Sequence, residues 1–350
     1  MTFRRDIILP KLDKKELHYP IDIPLLDVNN LSVKFSTQKG HVQAINKVSF
    51  HLNKSETLAI LGESGSGKST IALAIMGLLP EKNAFINNGV IKYKDQDLIK
   101  LNAVERRKLR GSQMSMIFQD PLSALNPVYT VGFQIGEIIR THERLPRKLV
   151  KQKVIDLMKK VRIPDAEKRV NDYPHQFSGG MQQRIMIAIA LALNPRFLIA
   201  DEPTTALDVT VQNQIMHLLK ELQKANDMGL IFISHDIGVV ANFADRVAVM
   251  YGGHIVETGM VDIVLKNPAH PYTKGLIKSL PSTTHDSTRL IPIDGSPPNL
   301  IEPPAGCPFE PRCPMARDVC KVKKPPLVHI TDSRESACHF YEEVLMNGEK

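Results

Sequence analysis

Tryptophan is absent from the 350 residues and aromatic side chains make up only 5%, so aliphatic residues must build most of any core. Hydrophobic residues are still 43% of the chain, which suffices for a sizeable core, and the length predicts one large domain with an appendage, or two domains. Long apolar runs are missing. The best one, Ile185 to Leu193, is bounded by Arg184 and Asn194 and falls short of the ~18 residues that a membrane-spanning helix needs. The N-terminus, MTFRRDIILPKLDKK, is charged but has neither an uninterrupted apolar stretch nor a small-residue cleavage site, which argues against a secretory signal. The expectation is a cytosolic chain, peripheral to any membrane it serves. Cysteine is scarce too, with four residues, all from Cys307 onward. The charge balance is basic, +8 with a pI near 9.2. That favours nucleotides, nucleic acid or an anionic membrane face as partners, without choosing among them.

Residues 1–24 are charged and weakly patterned and read as a tail. From Leu25 short β-rich runs alternate with helical patterns, the signature of an α/β core. VSFHL, TLAILG, MSMIF, FLIAD and GLIFIS read as strands, and Ser69 to Leu79 as a helix. Strand signals vanish between Gln119 and Gln176, where helical segments such as Arg147 to Val161 predict a helical subdomain inserted into the core. The α/β domain is expected to run over 25–267. A different segment follows over 268–350, with ten prolines between Pro292 and Pro326. That is too many for the interior of regular helix or sheet, so it reads as a separate, coreless appendage.

Gly62-Glu-Ser-Gly-Ser-Gly-Lys68-Ser69 fits G-x-x-x-x-G-K-[ST] between a predicted strand and a predicted helix, the context that makes the motif credible. Gly62, Gly65 and Gly67 let the backbone curl so that the N–H groups of Glu63 to Thr70, among them Ser64 and Ser66, face a phosphate. The following helix adds its positive end. Lys68 is placed to neutralise β- and γ-phosphates and Ser69 to hold Mg²⁺. This cradle alone says only that the chain binds a nucleotide.

Phe197-Leu-Ile-Ala-Asp201-Glu202 is a buried-strand pattern ending in two acids. It brings the Asp201 carboxylate beside Mg²⁺ and Glu202 to where it can polarise a water; a capped loop is the plainer reading. Ser178-Gly179-Gly180-Met181-Gln182 opens an apolar helix, with Ser178 at its N-cap. Two glycines there leave the helix terminus bare for a phosphate, although a simple loop-to-helix turn fits equally well.

Taken in order, these motifs resemble the ABC ATPase family, over residues ~25–260. FSGGM resembles the family's LSGGQ signature, Gln119 in IFQDP the Q-loop glutamine, Ala206-Leu207-Asp208 the D-loop, and His235 the switch histidine. Phe35 stands where the family stacks an aromatic on adenine. Phe177 and Met181 depart from the usual leucine and glutamine, which puts one polar contact near the nucleotide in doubt. The resemblance implies two such domains paired head to tail, each ATP held between one chain's P-loop and the other chain's SGG helix. It gives Ser69, Gln119 and Asp201 to Mg²⁺, Glu202 to the attacking water, His235 to the γ-phosphate and Asp208 to the nucleotide interface. Hydrolysis is coupled through the Q-loop groove to a helix of a membrane subunit.

Cys307, Cys313, Cys320 and Cys338 follow the spacing C-x5-C-x6-C-x17-C. Disulfides are not expected in a cytosolic chain and paired C-x2-C knuckles are absent. Four thiolates can bind zinc or an iron–sulfur cluster. NPAHPYTKGLIKSLP and GSPPNLIEPPAGCPFEPRCP resemble the C-terminal extension of oligopeptide and dipeptide importer ATPases. FQDPLSALNP, YPHQFSGGMQQR and IADEPTTALDVTVQ fit the same subfamily, and within it the first ATPase subunit of the pair. That resemblance implies a [4Fe–4S] cluster on the four cysteines, with zinc as the alternative. It also implies a second ATPase subunit, two integral-membrane permeases, an extracytoplasmic peptide-binding protein and no nucleic acid. Import of a nickel chelate, glutathione or a murein peptide is the nearest rival. A translation or DNA-repair ATPase is more distant, since neither a second cassette nor a long coiled coil is present.

Overall fold

The computed structural model describes residues 23–205, 207–279, 292–331 and 333–346. Residues 1–22 of the expected tail, and Ala206 of the D-loop, lie outside the described residues. A small antiparallel sheet is built from β1 (Leu26–Thr37), β2 (Gly40–Leu52), β4 (Ala84–Tyr93) and β5 (Gln96–Asp97), in the order β2-β1-β4-β5. The larger sheet contains β3 (Thr57–Leu61), β6 (Met114–Ile117), β7 (Phe197–Asp201), β8 (Gly229–Ser234), β9 (Arg246–Tyr251), β10 (His254–Met260), β11 (Val328–Thr331) and β12 (Arg334–Ser336). Its order is β11-β12-β10-β9-β3-β8-β7-β6, and β9-β3-β8-β7-β6 run parallel.

The three central strands are buried along their whole length and mostly apolar, because both sheet faces are covered. Leu58 and Ile60 of β3, Phe197 and Ile199 of β7, and Ile231 and Ile233 of β8 face a core shared with the small sheet and with the helix Lys68–Met76. Their alternates Ala59, Leu61, Leu198, Ala200, Leu230 and Phe232 face the opposite core, built with the longer helices. This two-residue alternation divides the molecule into layers. Between β6 and β7 no strand occurs among the described residues. Helices such as Val131–His142 and Arg147–Lys160 fill the interval, as the loss of strand signal predicts.

The C-terminal segment differs from expectation. It is neither separate nor coreless: β12 pairs antiparallel with β10, Glu257 opposite Ser336, and β11 closes the edge. Phe309 is 2% exposed and packs against Tyr251, Tyr272 and His270. Arg334 donates to the fully buried Glu257 carboxylate at 2.8 Å, which also accepts from the Ala269 and His270 N–H groups. Except for Pro311, in the 3-10 turn Glu310–Arg312, the prolines occupy irregular chain between these anchors. A boundary near residue 267 is therefore a change of composition, not a gap in packing.

Candidate nucleotide site

Parallel strands end on the same edge of a sheet, so the loops that follow β3, β6, β7 and β8 meet there. The P-loop follows β3, Gln119 follows β6, Asp201 ends β7 with Glu202 next to it, and His235 follows β8. A cleft of about 670 Å³ is lined by Gly62 to Gly65, Gly67 to Thr70, Gln119, Glu202 and His235, a size suited to a nucleotide-scale ligand. Two of the glycines are fixed by space. A Cβ on Gly62 would stand 2.3 Å from the Met250 carbonyl oxygen, and one on Gly67, at φ +103°, 2.6 Å from that of Ala44. Ser66 turns inward and is buried, and its N–H donates to the Glu63 carbonyl at 3.2 Å while that of Glu63 donates to Tyr272 Oη at 3.0 Å, so these two N–H groups do not face the phosphate position as expected.

Lys68 is 5% exposed, and its Nζ donates to the carbonyls of Gly62 (2.8 Å) and Glu63 (2.9 Å). Burial draws its pKa down. Ser69 Oγ donates to Asp201 Oδ1 at 3.1 Å, and burial pushes the Asp201 carboxyl up. A buried carboxylate beside a hydroxyl is a donor set that fits a hard divalent cation, which would supply the missing positive charge. Glu202 sits in the left-handed region at φ 45°, uncommon for a non-glycine residue and frequent at functional sites. Its Oε2 accepts from Gln119 Nε2 and from Thr205 Oγ1, both at 3.0 Å, and its Oε1 lies 3.2 Å from His235 Nδ1. Residues up to 83 positions from Glu202 thus hold its carboxylate at the cleft mouth. Thr205 was not legible as part of this set, because a hydroxyl in a turn carries no periodic signal.

Phe35 is placed differently from the rest. It packs on the core under the small sheet and does not line the cleft. Its cross-strand partner Val42 does, with Ala44, Leu276 and Leu300.

The ABC transporter family pattern matches residues 45–205, and that of the "Oligopeptide/dipeptide transporter, C-terminal region" matches 256–320. Among relatives, the dipeptide transport ATP-binding protein DppD of Bacillus subtilis is 50% identical over 319 residues, covering 91% of this chain and 95% of its own length. The oligopeptide transport ATP-binding protein OppD of the same organism is 50% identical, covering 92% and 89%. The Escherichia coli DppD is 46% identical, covering 90% and 96%. This chain belongs to the ABC transporter ATP-binding family. The dimeric post-hydrolysis structure of the ATP-binding cassette MJ0796 with ADP and Pi superposes at TM-score 0.61 and 26% identity, over 67% of this chain and 98% of that one.

As an ABC ATPase the chain needs a signature helix, and Ser178–Met181 open the helix Gly179–Ala190 away from its own cleft. Ser178 is exposed at the N-cap and makes no side-chain capping bond, which leaves the terminus free for an anion. Gly180 has a packing reason: a Cβ there would stand 2.7 Å from Val211 Cγ1 on the neighbouring helix Val209–Ala225. Asp208 caps that second helix through the Val211 N–H at 2.9 Å. The two departures from the usual signature share a partner. Arg169 lies 4.0 Å over the Phe177 ring and donates to the Met181 sulfur at 3.4 Å.

All four cysteines are free thiols lining one small cavity with Phe309, Met315 and Phe340. Burial pushes the Cys313 thiol up to about 11 and that of Cys338 up to about 12. Four sulfurs thus border one space. Among the described residues, however, no three His, Cys, Asp or Glu side chains stand in metal-holding geometry.

Proposed function

We propose that this chain is the ATP-hydrolysing subunit that energises import of oligopeptides across the cytoplasmic membrane. The observation carrying this is the complete catalytic constellation, Lys68, Ser69, Gln119, Asp201, Glu202 and His235, in a chain whose relatives are peptide-transport ATP-binding proteins over nearly their full length. The P-loop amides and Lys68 hold the β- and γ-phosphates, and Ser69, Asp201 and Gln119 would hold Mg²⁺, which neutralises phosphate charge when bound. Glu202 accepts a proton from the attacking water, with Gln119 and Thr205 holding its carboxylate, and His235 beside it steadies the γ-phosphate. The exposed Ser178 terminus completes the site of a second ATPase subunit, as the head-to-tail arrangement requires.

No helix among the described residues is long and apolar enough to span a membrane. The reading is a peripheral subunit on the cytoplasmic face, joined to two permease subunits that an extracytoplasmic peptide-binding protein supplies. Leu122, Val128, Tyr129 and Phe133 follow Gln119 and are exposed at 41–71%, an apolar surface suited to a permease helix. The four cysteines are read as ligands of a [4Fe–4S] cluster, supported by their shared cavity, with zinc as the alternative. Iron and sulfide in an anaerobically purified sample are expected, and zinc alone would reverse that reading.

The functional test is uptake of labelled di- to hexapeptides, glutathione and chelated nickel by cells carrying wild-type chain or Glu202→Gln. Selective loss of peptide uptake is expected. Loss of another ligand's uptake with peptides unaffected would overturn the substrate assignment and leave the ATPase standing.

A further inference from the structure

Every polar group of Glu63 is engaged. Its N–H donates to Tyr272 Oη at 3.0 Å, and its carbonyl accepts from Lys68 Nζ at 2.9 Å and from the Ser66 N–H at 3.2 Å. Both carboxylate oxygens accept from Arg312, at 2.8 and 3.1 Å. Arg312 lies 249 residues further along the chain, in the turn Glu310–Arg312 directly before Cys313. Its side chain is 5% exposed and uses all five donors: two on Glu63, one on Tyr251 Oη, and one each on the carbonyls of Ile293 and Asp294. A planar guanidinium gripping a carboxylate with two parallel bonds fixes orientation as well as distance. The same segment forms one wall of the cleft. Leu276 and Leu300 line it, and the Leu300 carbonyl accepts from the Gln43 N–H at 2.9 Å, beside Val42.

We infer that Arg312 is a positioning residue for ATP, locking Glu63 and thereby the P-loop in its phosphate-binding shape, so that the C-terminal segment is an integral part of the nucleotide site. The path is short and physical. Arg312 holds the Glu63 side chain, Glu63 and Gly62 hold Lys68 through their carbonyls, and Lys68 meets the phosphates. Without the clamp, the Glu63 side chain is released and only its backbone bonds to Tyr272, Lys68 and Ser66 hold the loop, so binding must order the loop further. The inference rests on the nucleotide site and is independent of which ligand is imported.

The test is ATP affinity of the full-length chain, read by displacement of a fluorescent ATP analogue, with the thermal midpoint of the nucleotide-free chain measured alongside. Arg312→Gln is expected to weaken ATP about tenfold, the scale of one charge-assisted contact. Glu63→Ala leaves the bonds of Arg312 to Tyr251, Ile293 and Asp294 in place, and so keeps the segment docked. It is expected to weaken ATP to a similar extent, and the double variant no further than either single one. A purely structural role for Arg312 would lower the thermal midpoint while leaving affinity within twofold of wild type, and that result overturns the inference. Multiplying effects in the double variant would overturn it as well. A Lys68→Ala chain that binds ATP like wild type would remove the nucleotide reading itself, and the inference with it.

Discussion

Replacing Arg334 by Met tests whether the C-terminal segment is part of the fold. Glu257 has no exposed surface and Arg334 is 4% exposed. Their bond joins β10 to β12, and Arg334 also reaches the Asn267 carbonyl. Removing the guanidinium strands a buried carboxylate, for which breaking a buried pair costs about 3–5 kcal/mol. For 350 residues the unfolding entropy is on the order of 0.7 kcal/mol/K, so this cost corresponds to a fall of roughly 4–7 °C in the thermal midpoint. Burial already pushes the Glu257 carboxyl up, and in the variant it rises further. The folded state then holds a proton that the unfolded state has lost, so the deficit grows as pH rises above the ordinary value of 4.5. Scanning calorimetry at several pH values reads both effects. Glu257→Gln added to Arg334→Met is expected to recover about half the loss, because the stranded charge is gone. A midpoint change below about 1 °C, or one independent of pH, would refute the reasoning.

Two further perturbations probe other joints of the molecule. Gly180→Ala drives a methyl into Val211 and is expected to destabilise by about 1–2 kcal/mol, the overpacking cost being partly offset by helix propensity. Adding Val211→Ala should relieve the clash, and unchanged denaturation midpoints in the single variant would contradict the packing argument. His270 is 1% exposed, accepts from the Tyr272 N–H through Nδ1, and is held neutral by burial with a pKa of about 3. Its unfolded value is 6.5, so the unfolded chain binds the extra proton and stability falls as pH drops below 6.5, by about 2 kcal/mol between pH 7 and 5. His270→Asn should flatten that slope in pH-dependent denaturation, and an unchanged slope would assign it to other groups.

The residues that meet at the cleft were legible because each sits in a short contiguous pattern with its own reason. The glycines of the P-loop, the apolar run ending in Asp201 and the strand before His235 each announce a local geometry. Parallel strand order then brings them to one edge without further information. The docking of the C-terminal segment was not legible in the same way. Pairing of β12 with β10 and of Arg312 with Glu63 are contacts between distant residues, which leave no mark on periodicity. Ten prolines spoke against regular structure, and all but Pro311 do occupy irregular chain. Composition does not reveal that Phe309 carries that chain into the core. The signature departures were visible as substitutions, but their common partner Arg169, eight residues before Phe177, came into view only with the fold.

ATP turnover by the assembled transporter carrying Glu202→Gln tests the central claim most directly, with ATP binding measured on the same preparation. Loss of the proton acceptor is expected to lower turnover by about 10²–10⁴-fold while affinity stays within about threefold, because Lys68 and the P-loop amides are untouched. Turnover within tenfold of wild type would contradict the assignment of Glu202, and with it the account of how this chain spends ATP.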